Sequence, residues 1–119
     1  MPFKERIRRL TAPVTELDEQ KLREFCANHA HCSSIGEARP RQEVSLVGEV
    51  TTLRIVPHAG SPSLEATISD GTGSMVAVWM GRRRIAGVAP GKRMMINGRG
   101  APVGSGGRLL FYNPRYELL

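Results

Sequence analysis

The stretch Ser69-Asp70-Gly71-Thr72-Gly73-Ser74 constrains the chain most, because an alternating apolar run lies on each side of it. Gly supplies a positive φ without steric cost and Asp before Gly bonds its own backbone, so Asp70 to Gly73 closes a tight antiparallel connection. With Gly71 and Thr72 as the loop residues the register is fixed. Ile68 then faces Met75, Ala66 faces Ala77 and Leu64 faces Trp79, and these six side chains share one face. The opposite face has a polar first strand (Glu65, Thr67, Ser69) and an apolar second one (Val76, Val78, Met80 after Ser74). Open to solvent, that second strand would be a platform for a partner; covered by a helix carrying Leu17, Leu22 and Phe25, it would be a second core. The cover is the favoured reading.

The other segments read outward from this hairpin. From Arg41 the hydrophobic period is two: Val44, Leu46, Val47, Val50, Leu53 and Ile55 form one long strand whose alternation slips around Gly48. The slip predicts a bulge there, which lets the strand bend and pair on both sides. Pro57 to Pro62 reads as a loop, Leu64 to Ser69 as the second strand and Met75 to Met80 as the third. Gly81 to Gly91 is an irregular connection, and Pro90-Gly91 launches a fourth strand over Lys92 to Gly100. A flexible loop, Gly104 to Gly107, leads into a fifth strand, Arg108 to Tyr112, which Asn113-Pro114 should end. A mainly β chain with five strands, the first long and bent and the third followed by an interruption, predicts a five-stranded Greek-key OB-fold barrel.

Ahead of it the pattern is helical. Phe3, Ile7 and Leu10 recur at helical spacing, Pro13 breaks the run, and Thr15 with Asp18 starts a helix over about residues 16–28. Ser33 to Pro40 reads as a linker, so the expected division is an N-terminal helical arm and linker over 1–40 and an OB-fold domain over 41–119. A length of 119 residues suits one small core and not two.

Charge narrows the function classes. The formal net charge is +6, and it is uneven: residues 1–40 hold seven Lys or Arg against six acids, residues 41–119 ten against five. Beyond Trp79 the only acid is Glu117, against eight bases. That points to a polyanionic partner. No apolar run approaches the roughly 18 residues of a membrane span, and the basic residues of Met1 to Leu10 precede no apolar signal region, so a soluble, cytoplasmic protein with no membrane contact is expected. Two cysteines make no disulfide framework. Cys26, His29, His31 and Cys32 could surround a zinc ion, but a helix end with two incidental thiols is preferred, and neither a metal nor a cofactor is expected. Paired carboxylates, a nucleophile beside a base, and a G-x-x-x-x-G-K-[ST] phosphate loop are all missing from the sequence, so no enzyme activity is expected.

Val47-Gly48-Glu49-Val50, then Ile68-Ser69-Asp70-Gly71-Thr72-Gly73, then Pro90-Gly91-Lys92-Arg93 with Gly98, and finally Asn113-Pro114-Arg115-Tyr116-Glu117 occur in a telling order. In these elements the chain resembles the wedge OB domain of RecG-type DNA helicases and small stand-alone actinobacterial OB-fold nucleic-acid-binding proteins, over about residues 41–119. The resemblance implies an OB fold and contact with single-stranded or branched DNA, RNA being the other candidate polyanion. OB domains bind strands on the face of strands two and three, framed by two loops. Here the frame would be Arg54 and His58 on one side, Arg99 and Arg108 on the other, with Arg82, Arg83 and Arg84 at the third-to-fourth connection. Adjacent guanidiniums engage successive phosphates bidentately and without sequence preference. Trp79 points inward in the predicted register, which leaves Tyr112, Phe111 and Tyr116 to stack on bases. The competing expectation is a protein-interaction adaptor or homo-oligomer that uses the apolar face or an open barrel edge.

Overall fold

The computed structural model describes residues 20–25, 32–104 and 106–119. Residues 20–25 are helical, and a 3₁₀ turn follows at Ile35–Glu37. Seven strands come next: β1 Glu43–His58, β2 Ser61–Ser69, β3 Ser74–Met80, β4 Arg93–Arg99, β5 Ala101–Val103, β6 Arg108–Tyr112 and β7 Arg115–Leu118. Residues 1–19, Leu17 included, and 26–31 of the expected arm lie outside the described residues. No described helix is long and apolar enough to cross a membrane.

The strands form a single sheet in the order β5-β6-β3-β2-β1-β4-β7. Only Gly100 separates β4 from β5, yet β5 is the first strand of that order and β4 the sixth, so the sheet curls back on itself. Gly100 is required at the bend: a Cβ there would lie 2.9 Å from Leu109 Cβ and 3.0 Å from Phe111 Cε1. The count of seven corrects the expected five. β5 continues the fourth strand past the bend, and β7 forms because Asn113, at φ 48, redirects the chain rather than ending it. Asn113 is held there by its own N–H donating to Val78 O (2.7 Å) and its side-chain oxygen accepting from Met80 N (2.8 Å).

The central hairpin forms as its sequence predicts. Ile68 pairs with Met75, Ala66 with Ala77 and Leu64 with Trp79, and all six are buried. Gly71 has φ +86, the positive φ that the Asp-Gly connection calls for. The core these residues build also takes in Leu46, Val50, Met94, Ile96, Leu109 and Phe111.

Two local expectations are corrected. The bulge sits between Val50 and Thr52, leaving Thr51 unpaired, and not at Gly48. Gly48 serves close approach instead, since a Cβ there would meet Ile68 Cγ2 at 2.6 Å and Ser69 O at 2.8 Å. β1 still pairs on both sides, with β4 over Glu43 to Glu49 and with β2 over Glu49 to His58. The expected Pro57–Pro62 loop is a two-residue turn, Ala59-Gly60, with φ of 49 and 82. Pro57 and Pro62 face each other one step below the hydrogen-bonded pair that closes the turn, where N–H groups point away from the partner strand and proline loses nothing.

Candidate nucleic-acid interface

Strand register brings most of the expected site residues to one end of the outer face. Arg54, Glu65, Val78 and Tyr112 are successive cross-strand partners through β1, β2, β3 and β6, so they form one row. His58 closes the hairpin beside this row, opposite Ser61. Directly after β3, Gly81 donates its N–H to Pro62 O at 2.8 Å, which ties the start of the Arg82-Arg83-Arg84 run to that same hairpin. The run ends at Ile85, which with Val88 is buried in the core cluster. Three exposed guanidiniums are thus mounted on a segment anchored at both ends. Among the described residues, none of them pairs with a carboxylate.

Arg54 differs, because its Nη2 donates to Glu65 Oε1 at 2.7 Å and its charge is compensated. Arg108 is exposed at the far end of the same face and reaches Thr67 Oγ1 at 3.5 Å. Arg99 is not with the others. It lies on β4 opposite Glu43 and lines a cleft with Arg39, Pro40, Arg41 and Gln42. The expected linker ends at Pro40 and the expected β domain begins at Arg41, so the boundary runs between Arg39 and Arg41 and neither is named as a site residue.

The middle of the face offers no platform. Val76 and Val78 are buried, so an open apolar surface for bases is absent there. On the helix at 20–25, Leu22 is buried, Arg23 donates through Nε and Nη2 to Gly71 O (3.1 and 2.9 Å), and the Phe25 ring lies 4.3 Å from the Arg93 guanidinium. Phe111 is 1% exposed and drops out as a stacking residue. Trp79 is inward as expected, donating Nε1–H to Pro114 O at 3.2 Å. Tyr116 packs edge-on against it at 5.6 Å. Among the described residues, that leaves Tyr112, 57% exposed, as the ring this face offers.

Asp70 is the buried carboxylate of the molecule's turn. Its Oδ2 accepts from Ile35 N (2.8 Å), and Oδ1 accepts from Thr72 N (2.9 Å), Thr72 Oγ1 (2.6 Å) and Gly73 N (3.3 Å). With both oxygens engaged it is structural. Of the Cys26, His29, His31 and Cys32 quartet only Cys32 is described, and burial pushes its thiol above the usual cysteine range. No group of metal-ligating side chains occurs among the described residues.

This geometry can be compared with solved structures. The chain superposes on a replication factor A related protein from Methanobacterium thermoautotrophicum with a TM-score of 0.56 and 19% identity, covering 74% of this chain and 90% of that one. The fold is OB-like. A second match is RecG bound to a three-way DNA junction, with a TM-score of 0.50 and 17% identity; it covers 67% of this chain and only 11% of that one. The likeness to RecG read in the sequence is therefore present in three dimensions as well. No protein-family model matches the chain, and no curated protein sequence does either.

Proposed function

We propose that this chain is a non-catalytic nucleic-acid-binding module that contacts single-stranded or branched DNA mainly through phosphates. The observation that carries the reading is the Arg82–Arg84 run: exposed, without a carboxylate partner among the described residues, and held between the Gly81–Pro62 hydrogen bond and buried Ile85. His58 and Tyr112 flank it, the first as a polar contact and the second as a ring for one base. Arg108 extends the cationic rim along the face, and Arg54 contributes its exposed guanidinium edge while Glu65 offsets its charge. Both similar folds come from proteins whose names connect them with replication or with DNA, which supports the reading at the level of partner class. In this scheme residues 41–119 carry the binding surface, residues 1–40 form the arm, and the protein works in the cytoplasm.

The test is a salt titration of binding to single-stranded, forked and duplex DNA and to single-stranded RNA. Affinity should fall steeply with salt, and replacing Arg82, Arg83 and Arg84 with Ala should flatten the log–log slope by about 2 on single strands, at roughly 0.7 per lost phosphate contact. Binding that ignores salt would refute the proposal.

A second reading has its own observation. β5 and β7 are the two edges of the sheet order, and Val103, Leu118 and Leu119 on or beside them are exposed. Unpaired edges of this kind invite strand addition by a partner or a second copy. Sedimentation at high concentration tests it, a monomer throughout counting against self-association.

A further inference from the structure

The Arg39–Arg41–Arg99 cleft stands apart from the surface just described. It lies at the first residue of β1, whereas Arg82–Arg84 are tied to the hairpin at its last residue. At about 3.3 Å per residue the two ends of this 16-residue strand are separated by roughly 50 Å of contour, shortened by the bend at Thr51. Arg39, Arg41 and Arg99 are exposed and, with Pro40, Gln42 and Glu43, line one shallow, open depression of the surface. The only acid in the cleft, Glu43, accepts from Arg115 Nη2 at 3.0 Å, so a fourth guanidinium neutralises it. None of the three lining arginines pairs with a described carboxylate.

The backbone adds an independent observation. Arg41 has φ 65, a conformation that glycine adopts freely and that a side chain makes costly. The chain is locked there by Arg41 N–H donating to Gly100 O at 2.8 Å, at the bend where β4 passes into β5. A costly conformation at a residue that shares this depression with two other unpaired arginines is strain at a candidate binding position.

We propose that Arg39, Arg41 and Arg99 form a second phosphodiester site, which holds a different segment of nucleic acid from the one at Arg82–Arg84. The proposal rests on the nucleic-acid reading above and names its substrate more closely: a branched or folded-back strand that reaches both ends of β1 at once. Bridging two segments raises the affinity for such a substrate through effective concentration, without any new contact chemistry.

Backbone amide shifts of the full-length protein, titrated with an eight-nucleotide thymidine strand, separate the possible outcomes. Two groups of shifts are expected, one at residues 81–84 and one at residues 39–43 with 99–100. The combined variant Arg39→Ala, Arg41→Gly and Arg99→Ala should abolish the second group, keep the first, and weaken forked-DNA binding about tenfold. Glycine at position 41 suits φ 65, so the variant loses charge without a folding penalty at that residue. Shifts at 81–84 alone would overturn the second site and leave the nucleic-acid reading standing. Shifts at 39–43 and 99–100 alone would support the site and displace the assignment to Arg82–Arg84. With no shifts at either group, both fall.

Discussion

The two links at either end of β3 use their polar groups in opposite ways. At the Asp70–Gly73 turn the carboxylate is buried and both its oxygens accept from the fold, while Gly71 O takes two bonds from Arg23. In the connection beyond Met80 the fold is satisfied by Gly81, Ile85 and Val88, and the three arginines between them point outward without described partners. A polar residue that completes a hydrogen-bond set belongs to stability; one left over on a rigid mount is available to a ligand. Charge density alone would not have separated them.

The largest effect should come from breaking the first region. Asp70→Ala leaves the N–H groups of Ile35, Thr72 and Gly73 without their acceptor, at about 1–3 kcal/mol for each orphaned buried group, and we expect a total loss near 4 kcal/mol. Asp70→Asn should also destabilise, because its amide would turn a donor toward a donor at one oxygen position. Denaturant unfolding measures both; an Asp70→Ala protein as stable as the parent would erase the contrast. Below its melting point, the variant should bind nucleic acid at the Arg82–Arg84 end as before.

Next in size is the anchor of the second region. Ile85→Ala should cost about 2–3 kcal/mol, within the range for a buried isoleucine of the core cluster. If the mount matters, nucleic-acid affinity should fall in the same variant although no cation was removed. Unchanged affinity beside a lowered stability would show that the arginines work without it.

The reverse pattern is expected from Arg82→Ala, Arg83→Ala and Arg84→Ala combined. Unfolding free energy should move by less than about 0.5 kcal/mol, as for surface positions without partners, while affinity drops about tenfold near physiological salt. Calorimetric melting and fluorescence anisotropy on the same preparation give the two numbers. A destabilised triple variant would mean that these side chains have partners within the protein.

These contrasts were legible in the sequence to different depths. The β2–β3 hairpin could be read pair by pair, because an Asp-Gly turn and strict alternation leave one register. The arginine run was equally plain. Ala59-Gly60 was hidden, since alanine at positive φ is not a turn signal and the flanking prolines look like loop. Gly100 read as the end of a strand; only the nearness of Leu109 and Phe111 reveals it as a bend. The Arg39–Arg41 cleft was out of reach for the same reason, because it exists only where that bend meets the start of β1. Arg54 was expected to frame the binding face, and its compensation by Glu65 depends on a register that the bulge at Thr51 displaces.

That pair offers the finest test of the comparison, since it is a polar group of the binding face that the fold has already claimed. Arg54 is 68% exposed and Glu65 20%, so the bond is screened and worth at most about 1 kcal/mol of stability. Glu65→Gln keeps a neutral acceptor for Arg54 while removing the one carboxylate of its row, and should change stability by only a few tenths of a kcal/mol. Its effect on binding has the opposite sign to those of Ile85→Ala and the triple-arginine variant. Freed of its counter-charge, Arg54 joins Arg108 and the arginine run, and affinity should rise about two- to threefold at low salt, with the gain fading as salt screens the face. A rise that persists at high salt would point to relief of a steric block rather than of charge. No rise would place the nucleic acid off the Arg54–Tyr112 row altogether and confine contact to the end of β3.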